Sequence, residues 1–289
     1  MTADDRLLYE TRMRNRSAAL AATAGILLVV AAAVQLAGPH TKIDELTADL
    51  IYAHKRFPLD VIGALINAVA LVAVGFTLAY LFDSSKARKP ELKGAIKIVA
   101  LVGAVLAALT GVAYAIVIAV KSNQFVSHGS QTYEQAHHLT SSAIVLVLPF
   151  LGQGAAFLLA LGFVLIALNA MRVGLLTRFM GYLGIFTGVL VIFPIGSPIP
   201  VVQGFWLVTL AYLFSGRWPS GLPPAWRSGR AEPWPSSAKM REQRTGAAGA
   251  AGARGRGSKP ERSKPEKVAA PAARPARAGN AKRKRKRRK

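Results

Sequence analysis

Apolar and charged positions fall in long blocks along the chain. Between Gln135 and Met171 no Asp, Glu, Lys or Arg occurs for 37 residues, and Ala143 to Leu168 is almost wholly Ala, Val, Leu, Ile, Phe and Gly. A helix needs about 20 apolar residues to cross the hydrocarbon of a bilayer, so this block is long enough to do so. Comparable blocks run from Ser17 to Ala37, Pro58 to Phe82 and Gly94 to Val120. Phe179 to Gly216 is a second charge-free run, of 38 residues. As one helix it would measure about 57 Å at 1.5 Å per residue, far beyond a bilayer, and the Pro194-Ile195-Gly196-Ser197-Pro198-Ile199-Pro200 stretch supplies the break. The pattern predicts an all-α polytopic membrane bundle of six transmembrane helices, about 17–37, 58–82, 94–120, 140–169, 179–194 and 200–214.

The connections differ in character. Residues 1–16 are a polar N-terminus, and 38–57 carries an amphipathic piece in which Ile43, Leu46, Leu50 and Ile51 share helical spacing while Asp44, Glu45 and Asp49 face elsewhere. That piece reads as a helix lying on the membrane surface. Asp83-Ser84-Ser85-Lys86 breaks the apolar pattern, and Arg88, Lys89, Pro90, Glu91 and Lys93 complete a short charged loop. Residues 121–138 form a polar loop, and 172–178 a tight basic turn. Pro149 and Gly152-Gln153-Gly154 predict a kink or loosening in the fourth span. Beyond it, 215–245 is rich in Trp and Pro, with Trp218, Trp226 and Trp234 eight residues apart. Its prolines argue against a regular helix, and Trp beside Arg fits the lipid headgroup zone. From Gly246 to Lys289 the chain is mostly Ala, Gly, Pro, Lys and Arg, ending in eight consecutive cations. Such a segment has little to bury and predicts disorder.

Charge adds sidedness. The net charge is +23, and the residues from Ser215 onward hold 22 Lys or Arg against 4 Glu, so most of the excess belongs to the tail. Basic short loops stay cytoplasmic. Four Lys or Arg lie in 1–16, four in 83–93 and two in 172–178, against three in 38–57, one in 121–138 and none in 194–200. The alternation predicts a multi-pass protein of a bacterial inner membrane with both termini cytoplasmic. The first apolar run, about 20 residues, exceeds the roughly 7–15 of a signal peptide, so a retained helix is expected. With no cysteine, disulfides, CxxC redox chemistry and thiolate metal sites are excluded.

Candidate chemistry is sparse. An ionisable group inside a span is expensive and usually functional, yet no carboxylate falls at mid-depth. Asp60 lies near the outer end of the second span and Lys97 near the inner end of the third. This counts against a proton-coupled pump. No histidine lies inside an apolar block, which argues against a haem held between helices, and no cofactor is expected. Asn67, Thr110, Tyr114 and Gln153 are the mid-depth polar residues, with Asn67, Thr110 and Gln153 at similar heights. They read as a hydrogen-bonded cluster that glues helices or, alternatively, holds a small solute. Gly184 and Gly188 make a GxxxG pair, while Ala107 with Gly111 and the Ala100, Ala104, Ala108 row are further small-residue stripes. His40, His54, His128, His137 and His138 all fall on the outer side, and Glu134 would share a helical face with His137 and His138, a weak candidate metal site. No Walker A, GxSxG or HExxH motif occurs, nor a dinucleotide GxGxxG after a strand. The tail 246–289 should attract anionic lipid or bind nucleic acid or ribosomes through phosphate contacts.

Met171 to Gly184, a basic turn leading into a Gly-spaced helix, resembles uncharacterised multi-span bacterial membrane proteins grouped as a domain of unknown function. Phe205-Trp206-Leu207, Gly216-Arg217-Trp218-Pro219, Pro223-Pro224-Ala225-Trp226 and Glu232-Pro233-Trp234-Pro235-Ser236 add to the resemblance, which covers about residues 17–236. It implies a membrane location and carries no functional residue. Three classes of function follow: a non-catalytic structural or interaction component with a basic cytoplasmic tail, a small-solute transporter or channel using the mid-depth polar residues, and a membrane enzyme with an extracytoplasmic His/Glu site.

Overall fold

The computed structural model describes residues 3–37, 45–128, 130–193, 200–218 and 221–234, with side chains from Leu8 onward. His40 and the tail 246–289, with its expected disorder, lie outside the described residues. All secondary structure among the described residues is helical: α1 (Ala3–Leu36), α2 (Leu46–Arg56), α3 (Leu59–Arg88), α4 (Ala95–Ser127), α5 (Tyr133–Thr140), α6 (Ala143–Arg172), α7 (Arg178–Ile192), α8 (Val201–Phe214) and α9 (Pro224–Ser228). Four of them contain stretches long and apolar enough to cross a membrane: Leu8–Leu36, Leu59–Arg88, Ala95–Ser127 and Ala143–Arg172. The helices α7 and α8 are equally apolar but shorter, 15 and 14 residues.

The packing follows from where small residues sit. α1 lies against α3 and α8, α3 against α4, α4 against α6, α6 against α7, and α7 touches α8, so six helices close a circuit. α3 also reaches α6 across it. Ala24, Ala70, Ala100, Ala104, Ala155 and Ala167 are fully buried, whereas Phe76, Ile98, Leu109, Phe150, Phe179 and Phe205 point outward. A water-soluble domain buries its large apolar side chains. Here only 22% of the apolar stretch of α4 and of α6 is buried, which leaves apolar surface that water would not tolerate.

Close helix contact depends on absent side chains. A Cβ added at Gly103 would lie 2.4 Å from the Leu159 backbone nitrogen, and one at Gly162 would lie 2.5 Å from the Ala100 Cβ. The α4–α6 contact is therefore nearly backbone to backbone, as small residues permit in membranes. The Gly184 and Gly188 pair serves the same end within the chain, since an added Cβ would lie 2.8 Å from the Ala167 Cβ and 2.9 Å from the Val164 Cγ2, respectively. Buried hydroxyls bond within their own helices: Thr77 donates to Ala73 O, Ser85 to Leu81 O and Thr187 to Leu183 O, each at 2.8 Å. This back-bonding satisfies a hydroxyl where no water reaches.

Four boundaries differ from the pattern-based reading. α1 begins at Ala3, so the polar N-terminus is helical, and the Glu10 it carries is buried. α3 continues through the expected 83–93 loop as far as Arg88, because the charges there find partners in the fold. α4 extends to Ser127, leaving a shorter connection to α5. α6 spans Ala143–Arg172, about three residues later than the expected 140–169, with Pro149 inside it.

Candidate functional site

Polar groups gather at both ends of the bundle and in a crevice between them. A cleft of about 580 Å³ opens where α1 ends, α2 ends, α3 begins and α4 passes. Asp49, Tyr52 and Arg56 of α2, Asp60 of α3, Tyr114 of α4 and Gln35 of α1 line it. α2 is held there by Leu50, buried with Phe125 and Ala136 in a small satellite core, so its polar face is left for the cleft. Arg56 is the fixed point. Its Nε donates to Asp60 Oδ1 at 2.9 Å, its Nη2 lies 2.7 Å from the same oxygen, and Nη2 also donates to the Gln35 carbonyl. One guanidinium thus joins the end of α1, the end of α2 and the start of α3.

Gln35 also borders a second cavity, of about 220 Å³, with Asn67 of α3 and Gln203 of α8. Leu71, Val74, Leu159 and Phe163 complete its deeper wall. Asn67 lies about 10 Å below Asp60 along α3, at 1.5 Å per residue. Below the crevice the core closes with Leu78, Leu81, Phe82, Trp206 and Phe214, all fully or almost fully buried. Trp206 Nε1 donates to Met180 O at 2.9 Å, and its ring meets Phe163 edge-on at 5.2 Å, so α6, α7 and α8 are locked together at this level.

The opposite end is sealed by an ion pair. The Arg88 side chain is fully buried and that of Glu10 nearly so. All five Arg88 N–H donors are used: Nη1 and Nη2 on the two Glu10 carboxylate oxygens at 2.8 and 2.7 Å, Nη1 on Ser84 O, and Nε and Nη2 on Ala225 O. A buried charge is tolerable only when paired and hydrogen-bonded in this way. Trp226 closes over the pair, with the guanidinium 5.2 Å from its ring centroid. The same ring stacks on Tyr80 at 6.1 Å and meets Phe214 edge-on at 5.8 Å, while its Nε1 donates to Leu175 O at 3.0 Å. Further on, Glu232 N donates to Val173 O, and Gly174, at φ +85°, leaves room for the Glu232 carbonyl. Part of the Trp/Pro-rich segment is therefore a cap on the bundle. Trp226, expected among lipid headgroups, is buried inside the protein, because Arg88 and Tyr80 offer its ring a better face.

The expected mid-depth cluster is dispersed. No hydrogen bond among the described residues joins Asn67, Thr110, Tyr114 and Gln153. Thr110 donates to Leu106 O at 2.8 Å and faces Gly152. Asn67 lines the crevice and Tyr114 the cleft beside Arg56, while Gln153 is exposed. Glu134, His137 and His138 are all exposed on α5, and among the described residues no group of three His, Cys, Asp or Glu is gathered to hold a metal. Arg56 was missed as a site residue. Its four-residue spacing from Asp60 is a detectable signal, masked by Pro58 between them.

The chain matches no protein-family model, no curated protein and no solved structure.

Proposed function

We propose that the chain is a six-span protein of the bacterial inner membrane that acts without catalysis, as an interaction component presenting a basic tail to anionic partners at the cytoplasmic face. The buried Glu10–Arg88–Ala225 clasp is the observation that carries this reading. It ties the segment up to Trp234 to the bundle, so the cationic chain that follows leaves from an anchored base. The Lys and Arg alternation supports residues 1–16, 83–93 and the tail on the cytoplasmic side. The resemblance at Met171 to Gly184 to uncharacterised multi-span bacterial proteins agrees with a membrane location and adds no activity. In this topology α7 and α8 are the fifth and sixth spans. Each near 22 Å long, they are accommodated by local thinning of the bilayer.

The partner favoured for the tail is anionic lipid, at about 1 kcal/mol per Lys or Arg near the surface. Full-length protein and a 1–245 truncation, reconstituted inside-out, test this through capture of phosphatidylglycerol vesicles. Full-length protein should capture them, and capture should fall steeply with salt; equal capture by the truncation refutes the reading. Preference for RNA over vesicles at equal salt would move the partner to nucleic acid.

A second reading, a small-solute transporter, is favoured by the two cavities that meet at Gln35. Solute flux in liposomes, lost on replacing Asn67 and Gln203 with Leu, is its test.

A further inference from the structure

We propose that the cleft beside Arg56 binds an organic ammonium group, primary or quaternary. The lining holds two carboxylates, Asp49 and Asp60, and one cation, Arg56. The Arg56 charge is balanced by Asp60 at 2.7 Å, and its Nη2 also serves the Gln35 carbonyl. Asp49 is exposed and takes part in none of the ion pairs among the described residues. The lining therefore carries one uncompensated negative charge. α1 ends and α3 begins at the cleft, so the opposite poles of two long helices offset one another there and the side-chain charges set the field. An anion entering the cleft would meet the unpaired Asp49 carboxylate and an Arg56 already engaged with Asp60.

A cation meets, besides Asp49, the phenol rings of Tyr52 and Tyr114. Aromatic faces beside a carboxylate are the usual recognition surface for quaternary and primary ammonium ions. One face of the Tyr52 ring is taken by the Lys55 Nζ, 5.4 Å from its centroid, so Tyr114, with no such cation over it among the described residues, is the principal ring for a ligand. A bare metal ion fits poorly. At about 580 Å³ the cleft is in the size range of small-molecule sites, and a guanidinium sits on one of the two carboxylates. The neighbouring cavity, with the uncharged amides of Asn67 and Gln203, offers room for the rest of a ligand whose charged end stays at Asp49. The ammonium can belong to a soluble amine or to the headgroup of an aminophospholipid, since both present the same group to the same carboxylate.

The test uses the full chain in phosphatidylglycerol nanodiscs, which contain no amine. Calorimetric titration with choline and with ethanolamine should give saturable binding of at least one, while the uncharged tert-butyl analogue of choline should give none. Asp49→Asn should weaken binding about tenfold or more, and Tyr114→Leu should weaken choline in particular. Asp49 is exposed, so an unchanged melting temperature will separate lost binding from lost folding. Adding phosphatidylethanolamine to the nanodiscs distinguishes the sources: suppression of the choline titration assigns the site to a lipid headgroup, and an undisturbed titration assigns it to a soluble amine. Absence of saturable binding, equal binding of the uncharged analogue, or full affinity in Asp49→Asn overturns the proposal.

Discussion

Replacing Glu10 with Ala leaves the Arg88 guanidinium fully buried with no counter-charge and with its Nη1 and Nη2 contacts to Glu10 lost. Breaking a buried pair from one side costs about 3–5 kcal/mol. Arg88→Ala strands the Glu10 carboxylate in the same place and removes the cation from the Trp226 face, worth about 0.5–2 kcal/mol. The double variant Glu10→Leu/Arg88→Met removes both charges at once. What it forfeits is chiefly the donor to the Ala225 carbonyl, about 1–3 kcal/mol. The double variant should therefore be more stable than either single one, a non-additivity expected of directly paired groups. Unfolding in detergent by heat or denaturant, followed through tryptophan emission, reads this directly, because Trp226 is part of the cluster. Glu10→Leu and Arg88→Met measured singly close the cycle, and losses in the double variant equal to the sum of those two would refute the argument that the two charges are buried for each other.

Gly103→Leu and Gly162→Leu should lower the melting temperature in detergent sharply, since even a Cβ would approach neighbouring atoms to 2.4 and 2.5 Å; overpacking costs about 1–3 kcal/mol or more. Gly111→Ala and Gly154→Ala, with nothing within 4 Å of an added Cβ, should leave it unchanged or slightly raised. Trp226→Ala should cost about 3–5 kcal/mol, seen as a lower unfolding midpoint and faster proteolysis of the segment up to Trp234. Gly174→Ala forces a side chain to within 1.9 Å of the Glu232 carbonyl at a positive φ, and limited proteolysis should show that segment released while the bundle stays intact.

The apolar blocks were enough to place every long helix, because a membrane span carries its signal in its own residues. Even the α7–α8 division was legible from its prolines. Helix ends were less so. α3 was cut at Phe82 by the charges that follow, yet the residue that neutralises Arg88 is Glu10, 78 positions away, and no local pattern reveals a partner at that distance. Depth could be counted along a helix, but rotation about its axis could not. Asn67, Thr110 and Gln153 share a height by counting, yet Asn67 faces a crevice, Thr110 packs against Gly152 with its hydroxyl bonded within α4, and Gln153 is exposed. The cleft beside Arg56 is not legible for a related reason: its members come from four separate stretches, Tyr114 reading as a mid-depth polar residue and the others as polar residues at span ends.

The proposed topology has the bundle crossing lipid six times, with the cleft toward the outside and the Glu10–Arg88 pair toward the cytoplasm. The natural absence of cysteine makes sidedness measurable with single substitutions: Ser130→Cys in the α4–α5 connection, Ser197→Cys between α7 and α8, and Ser236→Cys after the cap. In intact spheroplasts, a membrane-impermeant maleimide should label the first two and leave the third untouched until the membrane is opened. Protection of the Ser197 position with labelling at Ser130 would reduce α7 and α8 to a re-entrant pair and the bundle to four spans. Labelling at Ser236 in sealed spheroplasts would contradict the orientation itself.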